Sequence, residues 1–463
     1  MEEYVELACE GGSEIAAKSP VHAINLIPRD LPPEILSSIF LFVPAGESWT
    51  FTPLVPIRLS SVCHYWRDAA INTGTLWSTI TFFGRHRFHI AELFLSRAQR
   101  CTLDIVLFDG WDKESELQMA KAVELVLPAL PRWRALAIDL RDLTGALPTL
   151  ALILAHCRTE PAMVPRLHSL ILAAVGDVVR TDDIDVVQTC VETLRPASLS
   201  FCGVLPDTRI PYENTKYLTL RCLRGGAGGL QIGRLQGVLQ SCTRLESLTL
   251  YHAMRETGNA NPVPLILPAL KEFFLSGGSV TTAKLVLTSM DAPSLRSFKI
   301  RFHIHKVQNE LEIFLRRHGP SIREFYINKF TPHTIKFLYA IPNLETLGFI
   351  GASADTSLGE LVAHLRFPGL DVVFPRFSVF DIIATRLRAA AVDSLKEIVE
   401  LAPLRSLSVR AGSGYATEEE QARDRDWFCA RVEVAAWNLC YNEVDPRTRC
   451  FEDSTIKNHA YIS

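Results

Sequence analysis

The chain has 463 residues, 48% of them hydrophobic, and a net charge of −3. That apolar share suffices for a large core or several packed units. The near-neutral balance argues against a dedicated nucleic-acid binder, and no apolar run approaches the roughly 18 residues needed to span a bilayer.

The first residues, Met1-Glu2-Glu3-Tyr4-Val5-Glu6, are acidic where a secretory signal is basic, and no apolar stretch follows, so a cytosolic or nuclear address is expected. Residues 1–24 read as a disordered tail. The cysteines number eleven, are scattered, and include no Cys-x-x-Cys pair, which fits buried thiols in a reducing compartment. No metal or cofactor is expected: zinc needs closely spaced ligand pairs, and the nearest imitation, His303-x-His305, has no second pair at a workable distance.

The stretch from Asp30 to Ile80 reads as three short helical pieces. Asp30 is a fair N-cap, Pro32 and Pro33 fall in a first turn where a missing N–H costs nothing, and Glu34 lies at the positive end of the macrodipole. Ile35, Leu36, Ile39, Phe40 and Val43 then recur as one stripe until Pro44 and Gly46 stop the helix. A second helix is expected to start near Ile57 and end before Thr73-Gly74, with Leu59, Val62, Cys63, Trp66 and Ala70 on one face. So few residues make a very small core, and part of the apolar surface is expected to belong to a partner.

The run Leu31-Pro32-Pro33-Glu34-Ile35-Leu36 with Ile39-Phe40, then Val62-Cys63, Trp66-Arg67 and Leu76-Trp77, resembles the F-box, and more narrowly the F-box-like proteins abundant in fungi. The resemblance covers residues 25–82. One departure is the connection from Pro44 to Pro56, with Trp49 and Phe51, which is longer than in a compact F-box. The resemblance implies docking on a Skp-type adaptor and, through it, on a cullin scaffold that carries the ubiquitin-transfer machinery. It implies Leu31, Pro32, Ile35, Leu36, Ile39 and Phe40 as adaptor-facing positions of the first helix, and Val62, Cys63 and Trp66 as those of the second. The alternative is an ordinary helical cap in which Trp66 and Trp77 are core aromatics.

From Trp133 to Arg410 the pattern apolar-x-x-apolar-x-apolar recurs. It starts at Leu245, Leu270, Leu295, Ile322 and Leu344, at intervals of 22 to 27 residues, and again at Leu404. That is a leucine-rich-repeat period. Looser copies lie at Trp133–Ile138, Leu167–Leu172, Pro196–Phe201 and Thr215–Leu220, and the strand-like runs Trp77–Phe82 and Leu103–Leu107 begin the stack. Leu235–Leu239, Leu285–Met290, Leu311–Leu315 and Thr334–Tyr339 read as return helices. Pro-x-Leu cues such as Pro268-Ala269-Leu270 and Pro293-Ser294-Leu295 end the helix and set the strand's entry. The expected fold is an α/β solenoid: an irregular leucine-rich-repeat array over 83–410, with a parallel strand row and return helices, behind a three-helix F-box. An unrelated α/β assembly is the alternative. Arrays attached to F-boxes resemble this one in their irregular period.

Period two places Ser247, Thr249 and Tyr251, Glu272 and Phe274, Ser297, Lys299 and Arg301, Glu324, Tyr326 and Asn328, then Ser406, Ser408 and Arg410 on a concave face. A substrate-binding surface is expected there, with Phe274 and Tyr326 as anchors and Lys299 and Arg301 as charge contacts. The run Gly225-Gly226-Ala227-Gly228-Gly229 lacks the ending of a phosphate-binding loop and reads as a connector. Gly412-Ser413-Gly414 reads as a hinge. Residues 411–463 are expected to be a cap helix from Glu418, packing Trp427, Val434 and Trp437 on the last strand, then a disordered polar tail from Asp445-Pro446.

Neither a Gly-x-Ser-x-Gly elbow nor a His-Glu-x-x-His motif occurs. The F-box resemblance implies a non-catalytic substrate-recognition subunit of an SCF-type cullin-RING ubiquitin ligase, acting by proximity on a protein substrate. The alternatives are a scaffold or receptor that uses the same two surfaces without ubiquitin transfer and, more distantly, an enzyme with an unrecognised site.

Overall fold

The computed structural model describes residues 31–42, 54–83, 88–108, 115–140, 143–174, 181–203, 207–221, 232–252, 263–366, 376–402, 404–413 and 418–440. Asp30, the segment from Val43 with Trp49 and Phe51, the glycine run 225–229 and the tails 1–24 and 445–463 lie outside them.

The recurring apolar spacing becomes one long sheet. Its strands, in chain order, are β1 (Thr79–Phe83), β2 (Leu103–Phe108), β3 (Trp133–Leu140), β4 (Ser169–Ala174), β5 (Ser198–Cys202), β6 (Tyr217–Arg221) and β7 (Ser247–Tyr251). Two short strands, β8 (Leu265–Ile266) and β10 (Met290–Asp291), pair with each other and flank β9 (Glu272–Ser276). The row continues through β11 (Ser297–Arg301), β12 (Glu324–Ile327), β13 (Thr346–Ser353), β14 (Val379–Leu387), β15 (Ser406–Ser413) and β16 (Glu433–Cys440). Apart from β8 and β10, the strands lie side by side in chain order, and neighbours run parallel. Helices such as Leu143–Thr159, Gln308–His318 and Ala389–Leu401 return the chain between strands. This is a leucine-rich-repeat type of solenoid, in which each unit closes its apolar face only against its neighbours.

Strand β11 shows why the sequence folds this way. Phe298 and Ile300 are fully buried on the helix side, whereas Lys299 and Arg301, on the other face, are half-exposed. The in-register partners of Phe298 are Phe273 and Phe325. Phe273 stacks on it at 5.5 Å, and Phe314 of the helix Gln308–His318 closes from above at 4.9 Å. The Pro-x-Leu cue has a more exact role than ending a helix. The N–H groups of Leu270, Leu295 and Leu344 donate to the carbonyls of Leu267, Ala292 and Ile341 at 3.1, 3.1 and 3.3 Å. Prolines 268, 293 and 342 thus sit second in a tight turn, where their fixed φ is pre-set.

Three expectations are corrected. The row does not stop near residue 410: the helix Glu418–Cys429 is a return helix that delivers β16, and Phe428 packs on Trp437 of that strand at 5.2 Å. Gly412 and Ser413 are no hinge, because β15 includes both, and Gly412 pairs with Cys440. The expected single helix from Ile57 to Asn72 is two. Helices α1 (Pro33–Phe42), α2 (Leu54–Ser61) and α3 (His64–Asn72) form the N-terminal box. The hydroxyls of Ser60 and Ser61 bond back to the carbonyls of Ile57 and Arg58, and Cys63 turns extended, its sulfur accepting from the Trp66 N–H at 3.5 Å. Side-chain bonds of this kind compete with helix continuation.

The box and the solenoid share one core. Trp77, fully buried in a 3-10 turn before β1, donates its indole N–H to the Ala70 carbonyl at 2.7 Å. Phe94 of the first return helix meets its ring edge-on at 4.9 Å, and the Arg97 guanidinium lies over its face at 4.2 Å.

Candidate functional site

Two surfaces carry the residues singled out in the sequence. On the box, the apolar stripe of α1 splits in two. Leu36 and Phe40 are buried, and Phe40 packs on Trp66 at 5.1 Å, so these two fill the box's own core instead of facing outward as expected. The reason is the width of the stripe: positions 36 and 40 lie about 100° round the helix from 35 and 39, enough to put the pairs on different faces. Ile35 and Ile39 are 50% and 42% exposed, and Val62, in the link between α2 and α3, is 57% exposed. Pro32 is exposed, and Leu31, Cys63 and Trp66 are partly covered. Leu41, at 44%, is a further exposed apolar side chain that the stripe did not include. The frame beneath is fixed by polar ties: the Tyr65 hydroxyl donates to the Leu31 carbonyl, and the Thr73 hydroxyl bonds that of Ser37 at 2.7 Å.

The second surface is the sheet face turned away from the helices. Register aligns Thr249, Phe274, Lys299, Tyr326, Gly348 and Asp381 across β7 to β14. Phe274 is half-buried and meets Tyr251 at 6.3 Å, and the Lys299 ammonium stands 4.6 Å from the centre of the Tyr326 ring. Tyr326 itself is only 7% exposed, so its role as a protruding anchor is corrected. Its ring lies against Gly348, where an added Cβ would stand 2.0 Å from it. Burial, with the charges of Asp381 and Glu324, pushes its phenol well above the usual range. Arg301 is half-exposed at the end of β11. Asp381, nearly buried, pairs with Arg410 at 2.8 Å. The four expected contact residues thus share one face, with three of them offering surface.

Residues 28–83 match the F-box-like family model. The matched segment contains α1 to α3, Trp77 and the first strand, so the chain joins an F-box-like box to a leucine-rich-repeat solenoid. No curated protein matches the chain. Among solved structures, a leucine-rich-repeat protein of Leptospira interrogans is similar over 74% of this chain and 90% of its own, at 15% identity and a TM-score of 0.19. The solenoid assignment rests on the strand row itself. Among the described residues, no helix is long and apolar enough to cross a membrane, and no group of His, Cys, Asp and Glu is arranged to hold a metal ion.

Proposed function

We propose that the chain is the substrate-recognition subunit of an SCF-type cullin-RING ubiquitin ligase: the box docks on a Skp-type adaptor, and the strand row presents a protein substrate. The observation that carries this is the split of the box's apolar residues. Leu36, Phe40 and Trp77 complete its core, yet Ile35, Ile39 and Val62 remain in solvent on a segment that matches the F-box-like family. F-box domains generally bind Skp-type adaptors, and an exposed apolar patch on an otherwise closed core is what such docking requires. The chain supplies no catalytic group in this reading; it raises the local concentration of a substrate lysine near activated ubiquitin. The setting is the cytosol or nucleus, where free thiols such as Cys157, Cys190 and Cys242 stay reduced.

The test is co-purification of the adaptor and cullin with the full chain. Ile35→Asp with Ile39→Asp should abolish recovery of both while leaving the thermal melt unchanged, because both side chains are exposed. Undiminished recovery overturns the assignment of this face. Recovery of the adaptor without cullin points to the scaffold alternative.

A further inference from the structure

Several charges along this sheet are matched in pairs. Near the strand starts, Glu246 bridges Lys216 at 3.3 Å and Lys271 at 2.5 Å, and Arg323 pairs with Glu345 at 2.9 Å. The hydrogen bond from Lys271 is the main reason the Glu246 carboxyl is held below its usual range. On the face away from the helices, cations at both flanks of the row are also matched, Arg134 with Asp104 at 2.9 Å and Arg410 with Asp381 at 2.8 Å. On β11, neither Lys299 nor Arg301 has a carboxylate within ion-pair reach among the described residues.

These two cations stand beside an aromatic floor. Lys299 rests over Tyr326 on one side and is in register with Phe274 on the other. Phe274 packs on Tyr251, whose ring also takes the Arg221 guanidinium at 5.1 Å. The loop after β11 adds exposed His303, His305 and Lys306 at the same end. The nearest acids on the face, Glu272 and Glu324, stand two residues back along β9 and β12, roughly 7 Å toward the strand starts. Around β11 the face therefore carries its free-standing carboxylates two residues before its cations, while Asp381, three strands along in the row of Lys299, is taken up by Arg410. A long polyanion covering the whole face meets those carboxylates, whereas a short acidic segment crossing only the strand ends does not. The net charge of −3 also disfavours nucleic acid.

We propose that the ends of β7, β9, β11 and β12 hold an acidic peptide segment of a partner protein, with Lys299 and Arg301 meeting its carboxylates over a floor of Tyr251 and Phe274. This rests on reading the strand row as the partner-binding surface, and it names the class of partner. Charge contacts of this kind set on-rate and salt dependence, and the flat rings add apolar contact.

A labelled poly-glutamate peptide titrated into the full chain tests this. Binding is expected, weakening as salt rises, and Lys299→Gln with Arg301→Gln should lower affinity by about tenfold or more. Lys299→Arg with Arg301→Lys should retain it. Arg316→Gln, which removes an exposed cation paired with Glu312 elsewhere, should leave it unchanged. The proposal is overturned if poly-glutamate does not bind the wild type, if the double Gln variant binds equally, or if single-stranded RNA is held more tightly than the peptide. Scoring adaptor recovery in the same preparations separates the two readings. Lost peptide binding with the adaptor still present strikes this inference alone, and peptide binding without the adaptor strikes the ligase assignment alone.

Discussion

The early and middle strands of the row build the same core face and opposite second faces. On β2 to β5, Val106, Ala137, Ile171, Ala173 and Cys202 form a buried apolar cluster separate from the main core, with Val106, Ala137 and Ile171 in register. On β9 to β12 the corresponding row reads Phe274, Lys299 and Tyr326, and it is partly open to solvent. The repeat motif fixes only the core-facing positions. Its intervening positions decide whether the other face is dry or wet: Leu-Asp-Ile-Val-Leu-Phe in β2 is nearly continuous apolar sequence, as befits a strand buried on both sides, and Ser-Phe-Lys-Ile-Arg in β11 alternates.

The sharpest way to break this contrast is to place the same charge on both halves. Ile171→Asp buries an unpaired carboxylate in a dry cluster and should cost at least about 3 kcal/mol in urea unfolding. Lys299→Asp, on the wet half, gives up the contact with the Tyr326 ring but stays solvated and should cost about 1 kcal/mol. Equal costs would mean the two second faces do not differ in solvation.

A smaller effect tests how the wet half keeps its cation in place. Gly348→Ala sets a Cβ against the Tyr326 ring and should cost about 1–3 kcal/mol by overpacking. In a Tyr326→Ala background most of that penalty should disappear, since the two residues are direct cross-strand neighbours. A penalty that persists would place the strain in the backbone instead of under the ring that carries Lys299.

The row was legible in the sequence wherever the core-facing residues kept period two. β14 obeys the pattern too, as Phe377-x-x-Phe380-x-Ile382, and the sequence Pro375-Arg376-Phe377 before it has Phe where the Pro-x-Leu cues have Leu. β16 was hidden by geometry. Its core residues Val434 and Trp437 oppose Leu407 and Val409 across a register shift, so they stand three apart where the partner's stand two apart. The box was recognisable from its spaced motifs, but which of its apolar residues stay exposed was not. Ile35, Leu36, Ile39 and Phe40 read as one stripe, and only the position of Trp66 decides which pair turns inward. Tyr326 was misplaced for a similar reason: period two puts it on the correct face, while its burial depends on Gly348, a neighbour set by register and not by local sequence.

The core face, by contrast, should respond alike in both halves, and two thiols report on it. Cys190, on the helix between β4 and β5, and Cys242, just before β7, are buried, and burial pushes each up to about 12. An unfolded thiol ionises near about 8.5. Between those values the unfolded chain gives up a proton that the folded chain retains, so the thiols' contribution is intact below about 8.5 and is lost as pH rises toward 12. Each should account for about 1 kcal/mol of lost stability by a pH of about 9.5. Cys190→Ala and Cys242→Ala should flatten the alkaline slope of the urea midpoint by similar amounts. A slope that responds to one and not the other would show that the two halves differ in their cores as well as in their second faces.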